Sequence, residues 1–285
     1  MEGRTWSRHE DLAVNIDDSA ILMPGALPPL PRAAPVVKLT VVGGSGEGQK
    51  IEIHRPVAVL GDRRGCKVRL KHPEVSGIHC AIVNTGHRVF LRDLLSKHGT
   101  FLNDMKAEHE LLDDGDVVRI GTWEFRVTIA TASSEGLSDY TGVNFEPAPS
   151  AVGVQREDNG KLIKLPREVN LIGRKTGCDI LLPDQHVSRA HALMFEYLGQ
   201  PAIVDLFSEN GCRINNARVG FAPLETGDVI EIEPFTLVVR IALPNPQVAD
   251  NGQKAKTSPT RSGIAIAHHR DHITLDSLEV EHPSG

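Results

Sequence analysis

Aromatic residues are scarce, making up only 4% of the 285-residue chain, with two tryptophans and two tyrosines. Any core must therefore be assembled mainly from Val, Ile and Leu. Cysteine is scarce as well. Cys66, Cys80, Cys178 and Cys212 contain no Cys-x-x-Cys pair, and four thiols in this length exclude a disulfide-built scaffold. They read as reduced, largely buried small apolar residues. There is no cationic surplus: 31 Lys and Arg stand against 37 Asp and Glu, a net charge of −6. General nucleic-acid binding is excluded, because neutralising phosphates requires excess cations. A local basic pocket remains compatible. No apolar run reaches the ~18 residues of a membrane-spanning helix. Met1-Glu2-Gly3-Arg4 lacks the basic start and apolar stretch of a signal peptide, so the cytoplasm is the expected compartment and no membrane partner is expected.

What is present is 40% apolar and 24% charged residues, the balance of a globular chain. Its order is set by an internal repeat. Sliding the sequence by 112 residues brings Gly48 onto Gly160, Gly61 onto Gly173 and Gly65-Cys66 onto Gly177-Cys178. The same offset superposes Val75-Ser76 on Val187-Ser188, His79 on His191, Asp93-Leu94 on Asp205-Leu206, Asn103 on Asn215 and Gly115-Asp116 on Gly227-Asp228. One gapless offset over roughly 80 residues indicates a duplicated domain rather than a solenoid of short repeats.

Each copy reads as all-β. Val36–Val42, Val117–Ile120, Val229–Ile232 and Thr236–Ile241 are β-branched, partly alternating runs. Turn residues separate them: Gly43-Gly44-Ser45-Gly46, Asp114-Gly115-Asp116, Asp158-Asn159-Gly160 and Thr226-Gly227-Asp228. No segment carries a long 3.6-residue apolar period, so two β-sandwiches are expected. Composition sets the boundaries. Residues 1–35, ending in Pro24, Pro28, Pro29, Pro31 and Pro35, read as a flexible leader; 36–130 is the first sandwich; 131–149 is a linker. The second sandwich spans 150–243, and 244–285 reads as a disordered polar tail.

The second copy contains Gly173-Arg174, then Ser188-Arg189-Ala190-His191, then Ser208-Glu209-Asn210-Gly211, then Asn215, then Leu224-Glu225-Thr226-Gly227-Asp228. This ordered set resembles the forkhead-associated (FHA) domain. The resemblance implies an eleven-stranded β-sandwich whose loops at one end bind phosphothreonine peptides, with no cofactor and no metal. The residue types suit that chemistry. A phosphothreonine carries nearly two negative charges and three acceptor oxygens. Arg174 offers a permanent cation with a donor fork, and Ser188 a hydroxyl donor. Asn210 can both donate and accept, as holding an extended peptide backbone requires. Arg189 and Lys175 add positive charge, the Arg-cluster mode of phosphopeptide recognition. Supporting roles fall to His191, which ties down the binding loop, to Gly211 in a turn, and to Asn215. The implied activity is that of a non-enzymatic adaptor binding a phosphothreonine-containing protein of a Ser/Thr kinase pathway. The alternative is a phosphate-independent scaffold in which both copies only pack or dimerise.

The first copy keeps the frame and changes the pocket. Asp62 stands at the position of Arg174, Gly77 at that of Arg189 and His98 at that of Asn210. A carboxylate repels phosphate, so this copy is expected not to bind it, unless Arg63 or Arg64 substitutes through a small loop shift. Other constellations are weaker. Gly43–Gly48 lacks the Gly-Lys-Ser/Thr and the helix of a phosphate-cradling loop. Ser188, His191 and Asp205 are the residue types of a hydrolase triad, but no Gly-x-Ser-x-Gly elbow surrounds Ser188. His268, His269 and His272 read as a solvated polar stretch. Thr257-Ser258-Pro259-Thr260 and Thr274 are candidate phosphorylation sites that could dock on the second copy.

Overall fold

The computed structural model describes residues 14–16, 27–130 and 151–242. The expected linker and tail, with Thr257, Thr260, Thr274 and the histidine cluster, lie outside the described residues. The described residues form two all-β domains, with eleven strands from Val36 to Ala130 and eleven from Ala151 to Ala242.

In the first domain, one six-stranded sheet orders Val14–Ile16, Val68–Leu70, Val57–Gly61, Cys80–Asn84, Val89–Asp93 and His109–Leu111. The other orders Lys50–Ile53, Val36–Gly43, Trp123–Ala130, Val117–Ile120, Thr100–Leu102 and Met105–Ala107. The second domain repeats this plan. A five-stranded sheet orders Ile180–Leu181, Val169–Gly173, Ala192–Tyr197, Gln200–Asp205 and Phe221–Pro223. Opposite it, a six-stranded sheet orders Leu162–Lys164, Ala151–Arg156, Phe235–Ala242, Val229–Ile232, Cys212–Ile214 and Ala217–Val219.

Strand alternation explains how the layers stack, because successive side chains leave opposite faces of a sheet. In Val57–Gly61, Ala58 and Leu60 enter the first domain's own core, with Ile82, Leu91, Trp123 and Phe125. Val57 and Val59 face the other way. They join Ala81, Val83, Phe90 and Leu94 in a second cluster, whose remaining members include Val169, Leu171, Leu193, Phe195, Val204, Leu206 and Phe207 of the other domain. A third cluster, with Ile172, Met194, Ile203, Ile230 and Leu237, fills the second sandwich. The two sandwiches thus pack sheet against sheet through a third apolar core. Val57–Gly61, Cys80–Asn84 and Val169–Gly173 are buried at every position, as strands covered on both faces must be.

Most members of the shared core are related by the same 112-residue offset: Val57 to Val169, Val59 to Leu171, Ala81 to Leu193, Val83 to Phe195 and Leu94 to Leu206. The duplicated faces therefore meet like a two-fold pair within one chain. An unmatched contact distinguishes the two sides. Arg92, 3% exposed at its side chain, donates to Asp179 at 2.6 Å, and Asp179 also accepts from the Leu171 amide at 2.7 Å and from Arg167 at 3.0 Å. The repeat equivalents are Val204 and Lys67.

Part of the segment expected as a flexible leader is held against this body. Val14–Ile16 pairs antiparallel with Val68–Leu70. Leu27 is buried in the shared core, its carbonyl accepting from Arg55. Leu30 N–H donates to the His54 carbonyl at 3.2 Å, and Asn84 donates to that of Pro35 at 2.7 Å. Prolines cannot donate to a ladder, but their carbonyls accept, and here they do. Cys66, Cys80 and Cys212 are buried free thiols and Cys178 is half-buried. Burial pushes the thiol pKa of Cys66 up to about 12 and that of Cys178 to about 11.

Candidate functional site

Three loops converge at one end of the second sandwich: the turn after Val169–Gly173, the segment 183–191, and the segment 206–211 between Gln200–Asp205 and Cys212–Ile214. Backbone hydrogen bonds join the first two, Arg174 N–H to the Ser188 carbonyl at 3.0 Å and Lys175 N–H to the Arg189 carbonyl at 3.3 Å. Gly173 permits this approach, since a Cβ there would lie 2.3 Å from the Arg189 carbonyl oxygen. The third loop is tied to the second by Glu209 N–H donating to Ser188 Oγ at 3.3 Å and by Asn210 Nδ2 donating to the His186 carbonyl at 2.8 Å.

His191 lies beneath them, fully buried. Its Nδ1 accepts from Ser188 N–H at 3.1 Å, so Nε2 carries the proton and donates to the Gly211 carbonyl at 3.2 Å. Burial holds its pKa below the ordinary imidazole value of 6.5, against the opposing pull of Asp205. Asp205 accepts from Ser208 N–H at 2.9 Å and from the Ser208 hydroxyl, which accepts in turn from Gly211 N–H at 2.9 Å. His191 Nε2 and Asp205 lie 3.9 Å apart, beyond hydrogen-bond reach, and no hydrogen bond joins Ser188 Oγ to His191. Ligand atoms of His191, Asp205 and Cys212 lie within 4.8 Å of one another, but the first two spend them on these loop bonds, and Cys212 Sγ lies 3.5 Å from Asp205.

The sequence-predicted residues divide accordingly. Arg174, Arg189 and Asn210 are exposed on the rim and Ser188 is half-buried, while His191 and Gly211 are buried below it. Asn215 sits apart. At φ +50°, it donates through Nδ2 to Asp228 at 2.8 Å and accepts from Val229 N–H at 2.9 Å, which locks a hairpin turn to the Gly227-Asp228 turn. Lys175 does not join the rim's free cations, because its ammonium donates to the Leu95 carbonyl of the first domain at 3.0 Å.

A cation that sequence reasoning missed lies beside the rim. A Cβ on Gly211 would fall 2.8 Å from Arg218 Nε. Asn215 and Asn216, both at positive φ, form a two-residue hairpin turn that sets Arg213 opposite Arg218. Two like charges directly opposite are unfavourable in a bare sheet. A small polar cleft of about 280 Å³ opens here, bordered by Asn210, Arg213, Glu231, Glu233 and Phe235. The Asn-Asn pair was the signal that would have located Arg218.

The first domain repeats the scaffolding. Asp62 N–H donates to the Ser76 carbonyl at 3.0 Å, His79 Nδ1 accepts from Ser76 N–H at 3.1 Å, and its Nε2 donates to the Gly99 carbonyl at 3.1 Å. The chemistry at the rim differs. Asp62 takes the place of the arginine, and its Oδ1 has no hydrogen-bond partner, with Arg69 Nη2 3.7 Å away. Arg63, considered from sequence as a stand-in cation, is engaged elsewhere: Nη1 donates to the Phe207 carbonyl of the second domain at 2.6 Å.

Comparison with known proteins agrees with this architecture. The FHA domain family model matches twice, at residues 58–121 and 170–233. Glycogen accumulation regulator GarA of Mycolicibacterium smegmatis is 36% identical over 44% of this chain and 78% of its own length. The oxoglutarate dehydrogenase inhibitor of Corynebacterium efficiens is 38% identical over 34% of this chain and 70% of its own. FHA domain-containing protein FhaA of Mycobacterium tuberculosis is 38% identical over 33% of this chain, and the match spans 18% of that relative's length. A solved structure described as an analysis of phosphothreonine-dependent FHA domain interactions is 34% identical over 33% of this chain and 98% of its own, with a TM-score of 0.31. With two family matches set on two sandwiches of the same plan, the chain belongs to the FHA domain family, as a tandem pair.

Proposed function

We propose that the second FHA domain binds a phosphothreonine peptide on a partner protein, and that the first domain is its non-binding companion. The chain is then a non-catalytic adaptor that couples a Ser/Thr kinase signal to assembly. The observation that carries this reading is the gathering of Arg174, Ser188, Arg189 and Asn210 on one rim. Their counterparts Asp62, Ser76, Gly77 and His98 lie on an equivalent rim, where neither arginine position holds a cation.

The chemistry follows from the geometry. Among the described residues, the guanidinium groups of Arg174 and Arg189 have no hydrogen-bond or ion-pair partner, so a phosphate monoester can take both donor forks. Ser188 Oγ accepts from Glu209 N–H, which leaves its own proton for a phosphate oxygen. Asn210 uses Nδ2 on the loop, which leaves Oδ1 to accept from an amide of an extended peptide. Charge-assisted bonds of this kind contribute about 1.5–3 kcal/mol each, and two or three of them give moderate affinity once the peptide's ordering cost is met. Relatives named as a regulator and as an enzyme inhibitor support a non-catalytic role. Among the described residues no helix is long and apolar enough to cross a membrane.

The scaffold reading draws support from the shared apolar core. One titration separates the two. A phosphothreonine peptide selected on an array is titrated into the full chain and into Arg174→Ala. The adaptor reading expects a loss of roughly 2 kcal/mol, about thirtyfold in Kd, with the unfolding midpoint unchanged. Equal binding of the unphosphorylated peptide, or no loss in the variant, would leave the scaffold.

A further inference from the structure

Phe207 stands in the loop that carries Asn210, three residues before it. Its φ is +56°, in the left-handed region that a bulky L-residue enters only under external constraint. Contacts from the first domain meet it there. Arg63 Nη1 donates to the Phe207 carbonyl at 2.6 Å, and the same guanidinium lies 5.6 Å from the centre of the Phe207 ring. The ring enters a notch at Gly65, where a Cβ would lie 2.8 Å from its edge. Phe207 is 9% exposed and belongs to the shared core.

From Phe207 the chain runs directly into the rim. Ser208 bonds to Asp205 and Gly211, Glu209 N–H to Ser188 Oγ, and Asn210 to the His186 carbonyl. The other rim loop is tethered in the same way at the repeat-related position. Lys175, next to Arg174, donates to the Leu95 carbonyl at 3.0 Å. Leu95 has φ +59°, and a Cβ on Gly177 would lie 2.8 Å from the Leu95 side chain. Both ends of the second rim are thus held by the first domain.

We propose that the first domain, through Arg63 on the Phe207 carbonyl, presets the Phe207–Asn210 loop of the second domain in its peptide-binding form. This rests on the reading of the second rim as a phosphothreonine site, and it makes Arg63 a positioning residue that touches no ligand. It also accounts for a first domain that keeps its fold while its own rim carries Asp62. Its arginine serves the neighbouring loop rather than a ligand of its own. A loop held in its bound form before the peptide arrives loses less conformational freedom on binding, so affinity rises without a new contact.

The test uses the full chain and the phosphothreonine peptide of the preceding titration. Arg63→Ala is expected to weaken binding about fivefold, the lower end of coupling between distinct sites. Amide exchange at Ser208, Glu209 and Asn210 should speed up, with the shared-core amides unchanged. Arg63→Lys, which keeps one donor for the carbonyl, should restore most of the affinity and protection. Arg64→Ala removes a neighbouring exposed cation and should leave both within about twofold, because a screened surface charge contributes little. Loss in Arg174→Ala with none in Arg63→Ala overturns the positioning role alone. So does an equal loss in Arg63→Ala and Arg64→Ala, which would reduce the effect to net charge. Phosphate-independent binding by the wild-type chain overturns this inference together with the reading beneath it.

Discussion

The two rims share a backbone and part company in their side chains. Asp62 N–H reaches the Ser76 carbonyl at 3.0 Å, and Arg174 N–H reaches that of Ser188 at the same distance. His79 and His191 make the same pair of bonds, one ring nitrogen accepting from a serine amide and the other donating to a glycine carbonyl. Asn103 and Asn215 each clamp an aspartate and a valine amide, at 2.7 and 2.9 Å in one case and at 2.8 and 2.9 Å in the other. The frame is therefore maintained by the buried histidines and glycines under each rim and by the exposed asparagine clamps beside it. The copies diverge at the positions above it: Asp62 for Arg174, Gly77 for Arg189, His98 for Asn210. Survival of Ser76, His79 and Gly99 in the first copy is evidence of fold and not of ligand binding.

The strongest way to break this comparison is at the contact that has no repeat equivalent. Asp179→Ala leaves the guanidinium of Arg92 buried without its carboxylate, and removing one partner of a buried pair costs about 3–5 kcal/mol. Thermal or urea unfolding of the full chain should show that loss as a lower midpoint. If the midpoint is unchanged, the Arg92–Asp179 pair does not stabilise the packed chain. Next in size is a graft. Because the loop backbones coincide in their bonds, Asp62→Arg with His98→Asn, placed in an Arg174→Ala chain, should recover measurable phosphate-dependent peptide binding. Calorimetry showing none would mean that Gly77, or the diversion of Arg63, disables the first rim on its own.

The smallest effect is a shared one. Burial keeps both His79 and His191 below the ordinary imidazole value of 6.5. In the folded chain they stay neutral to a lower pH, whereas in the unfolded chain they protonate near 6.5. Below that value the unfolded state binds more protons, so stability is full above about pH 6.5 and declines as the pH falls through the folded values. Unfolding midpoints taken between about pH 7.5 and 5 should fall accordingly. The decline should shrink when either histidine is replaced in a variant that still folds. A flat profile would remove the buried-histidine account of both rims.

Much of this was legible in the chain. The 112-residue offset, the short β-branched runs and the ordered motif from Gly173 to Asp228 all rest on local preferences, and local preferences are written in consecutive residues. Two further signals were present and went unread. Val57-Ala58-Val59-Leu60 and Ala202-Ile203-Val204 are unbroken apolar runs, which mark strands covered on both faces and so announce a packing partner for each sandwich. Asn215-Asn216 marks a tight hairpin and places Arg218 beside Gly211. Over residues 27–35 the proline-rich stretch is held where a leader was expected, because proline content reports what a segment cannot donate and is silent on what its carbonyls can accept.

By itself the sequence determined the duplicated fold, the buried histidine-and-glycine frame under each rim, and which copy kept an arginine above it. Only the tertiary structure decided which cations remain free to meet a ligand. Arg63 and Lys175 look like rim charges until the two sandwiches are packed, when each is drawn to a carbonyl of the opposite domain, 144 and 80 residues away in sequence. The physical reason is that a charge's partner is set by distance through space, and periodicity along the chain does not encode that distance.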